Sequence, residues 1–130
     1  SINEFLWEST TSTPFLNWLA ERHQADLILA THTGIHWGRA IEKGRAFVNV
    51  GALGRPANNG HPHVWYTIIS IEDHGRIQWE FVPVEYDVER LIREMQAERL
   101  PAEFIETIRT GWWTTCLEIL PAKERRRGRH

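Results

Sequence analysis

Two short apolar runs constrain most strongly how this chain can fold. Leu27 to Ala30 is wholly apolar, and Ala46 to Val50 is a second such run, interrupted only by Asn49. Runs of this length without polar alternation are typical of strands that are buried on both faces. We therefore expect Leu27 to Ala30 to be a central strand of a sheet and Ala46 to Val50 to be a second buried strand. The glycine-containing section between them is expected to be loop-like.

The rest of the chain contains clear helix and hairpin signals. Proline and a serine/threonine cap predict a helix start, alternating β-rich runs predict a hairpin, and apolar residues at three- and four-residue steps predict further helices. The expected elements are a helix from Pro14 to about His23, a turn region over 51–63, a hairpin of strands 64–71 and 76–84, and helices over 87–99 and 102–109. A chain of 130 residues forms one domain, so we expect a single α+β unit.

The composition favours no nucleic-acid or membrane partner. The net charge is −2, and no apolar run approaches the ~20 residues of a membrane span. The basic segment 123–130 is expected to be a solvated tail, so binding to nucleic acid is a weak alternative that rests on this tail alone. Cys116 is the one cysteine; it is expected to be a buried thiol in a reducing compartment, which favours the cytoplasm.

Two histidines follow the first apolar run. His32 and His36 lie just after the predicted strand, and a loop held by a rigid strand is a common way to present an imidazole to a metal ion. Taken without further context, the same histidines could simply hydrogen-bond to their own loop. The pattern that surrounds them therefore decides how they are interpreted.

That pattern resembles a known family. The stretch from Ala25 to His36, with Asn49-Val50-Gly51-Ala52-Leu53-Gly54-Arg55-Pro56 after it, is similar to the last motif of the calcineurin-like metallophosphoesterases, in particular their small bacterial branch. The family motif is Gly-His-x-His, and this chain has Thr31-His32-Thr33-Gly34. The resemblance implies that His32 is a metal ligand. Gly34 stands in place of the second histidine, and His36 would then be a substitute ligand.

The resemblance also implies a role for the loop after the second strand. Asn49, Gly51 and Arg55 would shape the cleft beside the metal, since glycine permits positive φ and close approach of the backbone. Arg55 could contact a substrate phosphate through its planar fork of donors. The alternative is that Arg55 braces the loop.

The fold implied by the resemblance is the second half of a four-layer αββα sandwich, with a mixed sheet, a β-hairpin and flanking helices. The implied activity of the intact protein is hydrolysis of phosphomonoesters or phosphodiesters, with divalent manganese, iron, zinc or nickel ions as cofactors. The family's earlier motifs, Asp-x-His, Gly-Asp-x-x-Asp and Gly-Asn-His, are missing, and Asp26, Asp73 and Asp87 are the only aspartates.

We therefore expect residues 1–130 to be the C-terminal part of such a domain, either a fragment or a processed piece, that is inactive alone. Its expected partners are the N-terminal half of the same domain and a phosphate-ester substrate, and exposed apolar surface would favour self-association. The rival interpretation is a non-catalytic binding or assembly module in which the fold persists and the metal site has decayed. Gly34 is the feature that supports the rival.

Overall fold

The computed structural model describes residues 4–127 of the protein. Helices and strands alternate irregularly along the chain. In order they are α1 (Thr13–His23), β1 (Leu27–Ala30), β2 (Trp37–Ala40), β3 (Ala46–Asn49), β4 (Val64–Ile71), β5 (Ile77–Val84), α2 (Val88–Ala97), α3 (Ala102–Thr110) and α4 (Ala122–Arg125), with 3-10 turns at Glu42–Gly44 and Leu117–Ile119.

The mixed sheet contains β1, β3 and β2 in that order. β3 lies in the centre, parallel to β1 and antiparallel to β2, with Val48 opposite both Leu29 and Gly38. The prediction that β1 is a central strand buried on both faces was wrong, because β3 takes the pairing on both of its sides. β1 is instead an edge strand of this sheet, and Leu29 is 54% exposed.

β2 was not expected from the sequence. Gly34, Gly38 and Gly44 predicted a loop-like section here, but Trp37 to Ala40 pair along the whole of β3. Trp37 is buried, whereas Gly38 leaves room for a large side chain on the other face. The strand therefore depends on pairing and packing with distant residues rather than on local propensity.

One face of the mixed sheet is covered by α1. Leu16 and Ala20 pack against Trp37 and Phe47, and all four side chains are buried. The helix starts where the sequence predicts, since the Ser12 side chain accepts a hydrogen bond from the Phe15 amide at 3.3 Å. This packing forms the first of two apolar cores.

The β4–β5 hairpin covers the opposite face. The strands pair antiparallel from Val64 opposite Val84 to Ile71 opposite Ile77, which confirms the predicted hairpin. The Trp79 indole lies so close to Gly38 that a Cβ added there would be 2.4 Å from Nε1. Helix, mixed sheet and hairpin are therefore stacked as three successive layers.

The two predicted helices after the hairpin are present, and they pack on each other. The Asp87 side chain caps α2 by accepting a hydrogen bond from the Arg90 amide at 2.9 Å, and α3 ends at Gly111 in the left-handed conformation. The fold class is thus confirmed: α+β, with a mixed sheet, an antiparallel hairpin and flanking helices.

One expectation about the C-terminal segment was wrong. Cys116 is exposed, because Trp113 and Leu120 take the buried positions around it. The described basic side chains of the tail, Lys123 and Arg125 to Arg127, are exposed as expected, whereas Glu124 is buried and its carbonyl accepts a hydrogen bond from the Asn58 side chain at 3.1 Å. The remainder of the tail, residues 128–130, lies outside the described residues. Within residues 4–127, no helix has the length and apolar character needed to cross a bilayer.

Candidate functional site

The two predicted site loops meet at the C-terminal ends of β1 and β3 in the mixed sheet. β1 and β3 are parallel, so the loops that follow them leave from the same edge, where ligands commonly bind in open α/β sheets. The Val50 amide donates to the Ala30 carbonyl at 2.8 Å, and the Thr31 hydroxyl donates to the Gly51 carbonyl at 2.5 Å. The structure therefore joins loops 31–36 and 49–56 directly.

The turn from Asn49 to Gly51 is built as the sequence suggests. The Asn49 side chain is fully buried, and its Oδ1 accepts a hydrogen bond from the Gly51 amide at 3.0 Å. Gly51 has φ +72°, and a Cβ there would be 3.3 Å from the His36 amide nitrogen. Glycine is required here for both backbone conformation and close approach. Within the described part of the chain, Asn49 Nδ2 is a buried donor without a partner.

His32 is exposed at the surface of the first loop. Its backbone has φ +79°, a conformation that histidine adopts uncommonly and that is often retained at functional positions. The imidazole stacks on Phe5 with ring centroids 5.1 Å apart and an interplanar angle of 14°. No hydrogen bond joins it to residues 4–127, so the alternative in which His32 only hydrogen-bonds its loop is not supported.

His36 lies in a different environment. Its ring is half-buried, with centroids 4.5 Å from those of Trp65 and Phe81 on the hairpin. This burial lowers the pKa of His36 and so favours the neutral imidazole. The contacts join the first loop to the hairpin layer. His36 as a substitute metal ligand stays a prediction, one that this packing does not favour.

Gly34 cannot be replaced by a ligand side chain in this structure. It is buried with φ +73°, and a Cβ there would be 2.7 Å from Cζ2 of the Trp113 indole. Trp113 is fixed in place, since its indole Nε1 donates to the Pro56 carbonyl at 2.7 Å and its backbone amide donates to Asn58 Oδ1 at 2.9 Å. Trp113 therefore occupies the space beside Gly34.

Arg55 braces this arrangement. Its guanidinium lies 3.5 Å from the centre of the Trp113 ring, within cation–π range, and Nη2 donates to the Thr115 carbonyl at 3.0 Å. These contacts favour the bracing alternative for Arg55. A contact with substrate phosphate stays a prediction.

The residues of the described chain do not by themselves fit a divalent metal centre. Such ions are normally held by three or more histidine, cysteine or carboxylate side chains. No group of three such residues that could hold a metal ion occurs within residues 4–127. His32 is available as one ligand, and any further ligands would have to come from outside the described chain.

A large cleft lies elsewhere. It has a volume of about 1000 Å³ and lies between the start of β1 and the tip of the hairpin, with Asp26, Lys43, Arg76 and Trp79 in its walls. None of the five candidate residues lines it. We therefore assign the candidate site from the two loops at the opposite end of the strands.

Comparison with known proteins gives likeness at the level of fold. No protein-family model and no curated protein matches the sequence. Among solved structures, the hypothetical protein PH1004 from Pyrococcus horikoshii OT3 matches with a TM-score of 0.62 and 19% identity, over 85% of this chain and 42% of its own. A metallophosphoesterase from Sphaerobacter thermophilus matches with a TM-score of 0.60 and 20% identity, over 85% of this chain and 53% of its own.

The fold is similar to part of a metallophosphoesterase. The chain spans about half the length of each of these two structures. The likeness confirms the predicted fold class and agrees at fold level with the family resemblance. The match of Thr31-His32-Thr33-Gly34 to the family motif stays a prediction.

Two contributors to the site were missed from the sequence. Phe5 lies 27 positions before the His32 ring that it stacks on, and Trp113 lies 79 positions after Gly34. The tryptophan pair at Trp112 and Trp113 suggests a core-capping role, but nothing local indicates which glycine lies beneath it.

Proposed function

We propose that this chain is the C-terminal half of a metal-dependent phosphoesterase domain that hydrolyses phosphomonoesters or phosphodiesters, and that it is inactive alone. The observation that carries the proposal is the meeting of loops 31–36 and 49–56 at the end of parallel β1 and β3, with His32 exposed there. The similarity to about half of a metallophosphoesterase fold supports it.

In this proposal His32 supplies one metal ligand. The hydrogen bond from the Thr31 hydroxyl to the Gly51 carbonyl joins its loop to the loop after β3, where the Gly51 amide bonds to Asn49 Oδ1. The cation–π contact between Arg55 and Trp113 supports the same arrangement. Two-metal phosphoesterases polarise the phosphoryl oxygen and activate a water with ions that need several ligands each. The N-terminal half would supply the carboxylate and amide ligands that residues 4–127 lack.

The unpaired side of β1 is where we expect the N-terminal half of the domain to bind. Among residues 4–127, β1 pairs with β3 alone, and its Leu29 is 54% exposed. Such an edge offers unpaired backbone donors and acceptors, which native proteins normally cover. We propose that the N-terminal half of the same domain pairs with β1 and covers Leu29.

A second function is favoured by one specific observation. Because Trp113 fills the space beside Gly34, the first loop presents one exposed imidazole where the family motif has two histidines. A non-catalytic binding or assembly module with a decayed metal site would share this feature. The two proposals separate on the sequence encoded before Ser1, since an enzyme needs the aspartate and asparagine ligand motifs there.

Metal content tests the role of His32. In the complete polypeptide that contains this chain, His32→Ala is expected to remove about one of two bound divalent ions, because it deletes a direct ligand. The matched control is His74→Ala, since His74 is exposed on the hairpin turn. The measurement is elemental analysis after dialysis against buffer with low manganese. Equal metal content in wild type, His32→Ala and His74→Ala would contradict the assignment of His32.

A further inference from the structure

A second pocket lies between the α2–α3 pair and the loop that carries Arg55. Its volume is about 350 Å³, within the range of small-molecule sites. The walls come from Met95 of α2, from Phe104 and Ile108 of α3, and from Arg55 and Cys116. His32, Asn49 and Gly51 do not line it, and Arg55 is the one residue that it shares with the candidate site.

The walls of the pocket are mainly apolar. Phe104 and Ile108 are four positions apart on α3, which places them on one face of the helix beside Met95. Phe104 remains 46% exposed. Apolar side chains of this size are therefore available to a ligand without any rearrangement of the buried core.

Arg55 is the one charged residue in the wall. Its Nη2 donates a hydrogen bond to the Thr115 carbonyl, and its guanidinium lies over the ring of Trp113. Both partners are uncharged. No carboxylate pairs with Arg55 among residues 4–127, and Nε and Nη1 make no hydrogen bond there. Arg55 thus lines an apolar pocket and carries a positive charge that no carboxylate among residues 4–127 neutralises.

We propose that this pocket binds a small amphipathic monoanion. The apolar body of the ligand contacts Met95, Phe104 and Ile108, and its anionic group is bound by Arg55. A cation of the same shape is disfavoured by the charge of Arg55, and an anion without an apolar body loses the contacts with the walls. The pocket therefore selects on both properties together.

The rate at which Cys116 is alkylated can report whether a ligand occupies the pocket. It is the one cysteine of the chain, it is exposed, and it lines the pocket. Its alkylation by iodoacetamide, a small neutral reagent, can be followed by mass spectrometry with and without a ligand. The probe is octanoate; octylammonium has the same chain with the opposite charge, and acetate has the charge without the chain.

Octanoate is expected to slow alkylation of Cys116 by on the order of tenfold at about ten times its Kd, which is expected near 1 mM for so small a ligand. Octylammonium and acetate at the same concentration are expected to change the rate by less than about twofold. Equal protection by octanoate and octylammonium, or no protection by octanoate, would overturn the proposal.

Variants locate the effect in the pocket. Phe104→Ala is expected to abolish most of the protection, whereas Phe15→Ala, a similarly exposed phenylalanine on α1, is expected to retain it. Arg55→Gln is expected to remove the preference for octanoate over octylammonium, and Arg55→Lys to keep it. Because Arg55 also braces Trp113, the ratio of rates with and without ligand is compared within each variant. Full protection in Phe104→Ala would also overturn the proposal.

Discussion

Replacing Gly34 by alanine is expected to lower the free energy of unfolding by about 3 kcal/mol. Two effects add. The residue has φ +73°, where a side chain is strained, and the new Cβ would be 2.7 Å from the Trp113 indole. The indole Nε1 donates to the Pro56 carbonyl and the Trp113 backbone amide donates to Asn58 Oδ1, so the ring cannot move aside without straining or losing these bonds. The measurement is urea denaturation followed by tryptophan fluorescence.

Gly44→Ala is the matched control for this prediction. Gly44 has φ +71°, close to that of Gly34, but nothing lies within 4 Å of an added Cβ. Its expected cost is therefore the backbone strain alone, about 1 kcal/mol. If the two substitutions cost the same, Trp113 does not fill the space beside Gly34, and the account of this loop is wrong.

Trp113→Ala is expected to lower the free energy of unfolding by about 4 kcal/mol. Trp113 is 5% exposed and packs with Trp7 and Leu120 in the second apolar core. Its removal leaves a cavity, and the Pro56 carbonyl loses its donor. Trp18→Ala is the comparison, since Trp18 is 49% exposed, and its expected cost is below about 1 kcal/mol.

The two substitutions are expected to be coupled. In the Trp113→Ala background the clash with Gly34 is gone, so Gly34→Ala should cost no more than Gly44→Ala does. Denaturation of the double variant measures this directly. Strictly additive costs would show that the two positions do not interact and would contradict the packing described here.

The local elements of the fold follow from the sequence because their signals are local. The Ser12 cap, the three- and four-residue spacing in α2 and the alternation in β4 and β5 each act over a few residues. Strand order in the mixed sheet does not follow in this way. It depends on the pairing of β2 with β3, and Gly38 in β2 packs against Trp79, a residue 41 positions away.

The candidate site likewise has some features that are set by local sequence and others that are set by long-range contacts. The position of His32 after β1 and the need for glycine at Gly51 follow from the strand-loop pattern, and the structure has both features. The packing of His36 against the hairpin and of Trp113 against Gly34 arises from tertiary contacts. No spacing within either loop carries that information.

Metal-dependent turnover is the direct test of whether this chain is half of a phosphoesterase domain. We predict that this 130-residue chain, with manganese present, hydrolyses p-nitrophenyl phosphate and bis(p-nitrophenyl) phosphate no faster than buffer, because residues 4–127 hold no group of three ligands that a metal centre needs. The complete polypeptide that contains it is predicted to hydrolyse at least one of the two, and to lose that activity in His32→Ala. Metal-dependent turnover by the 130-residue chain at a rate comparable to that of the complete polypeptide would contradict the account.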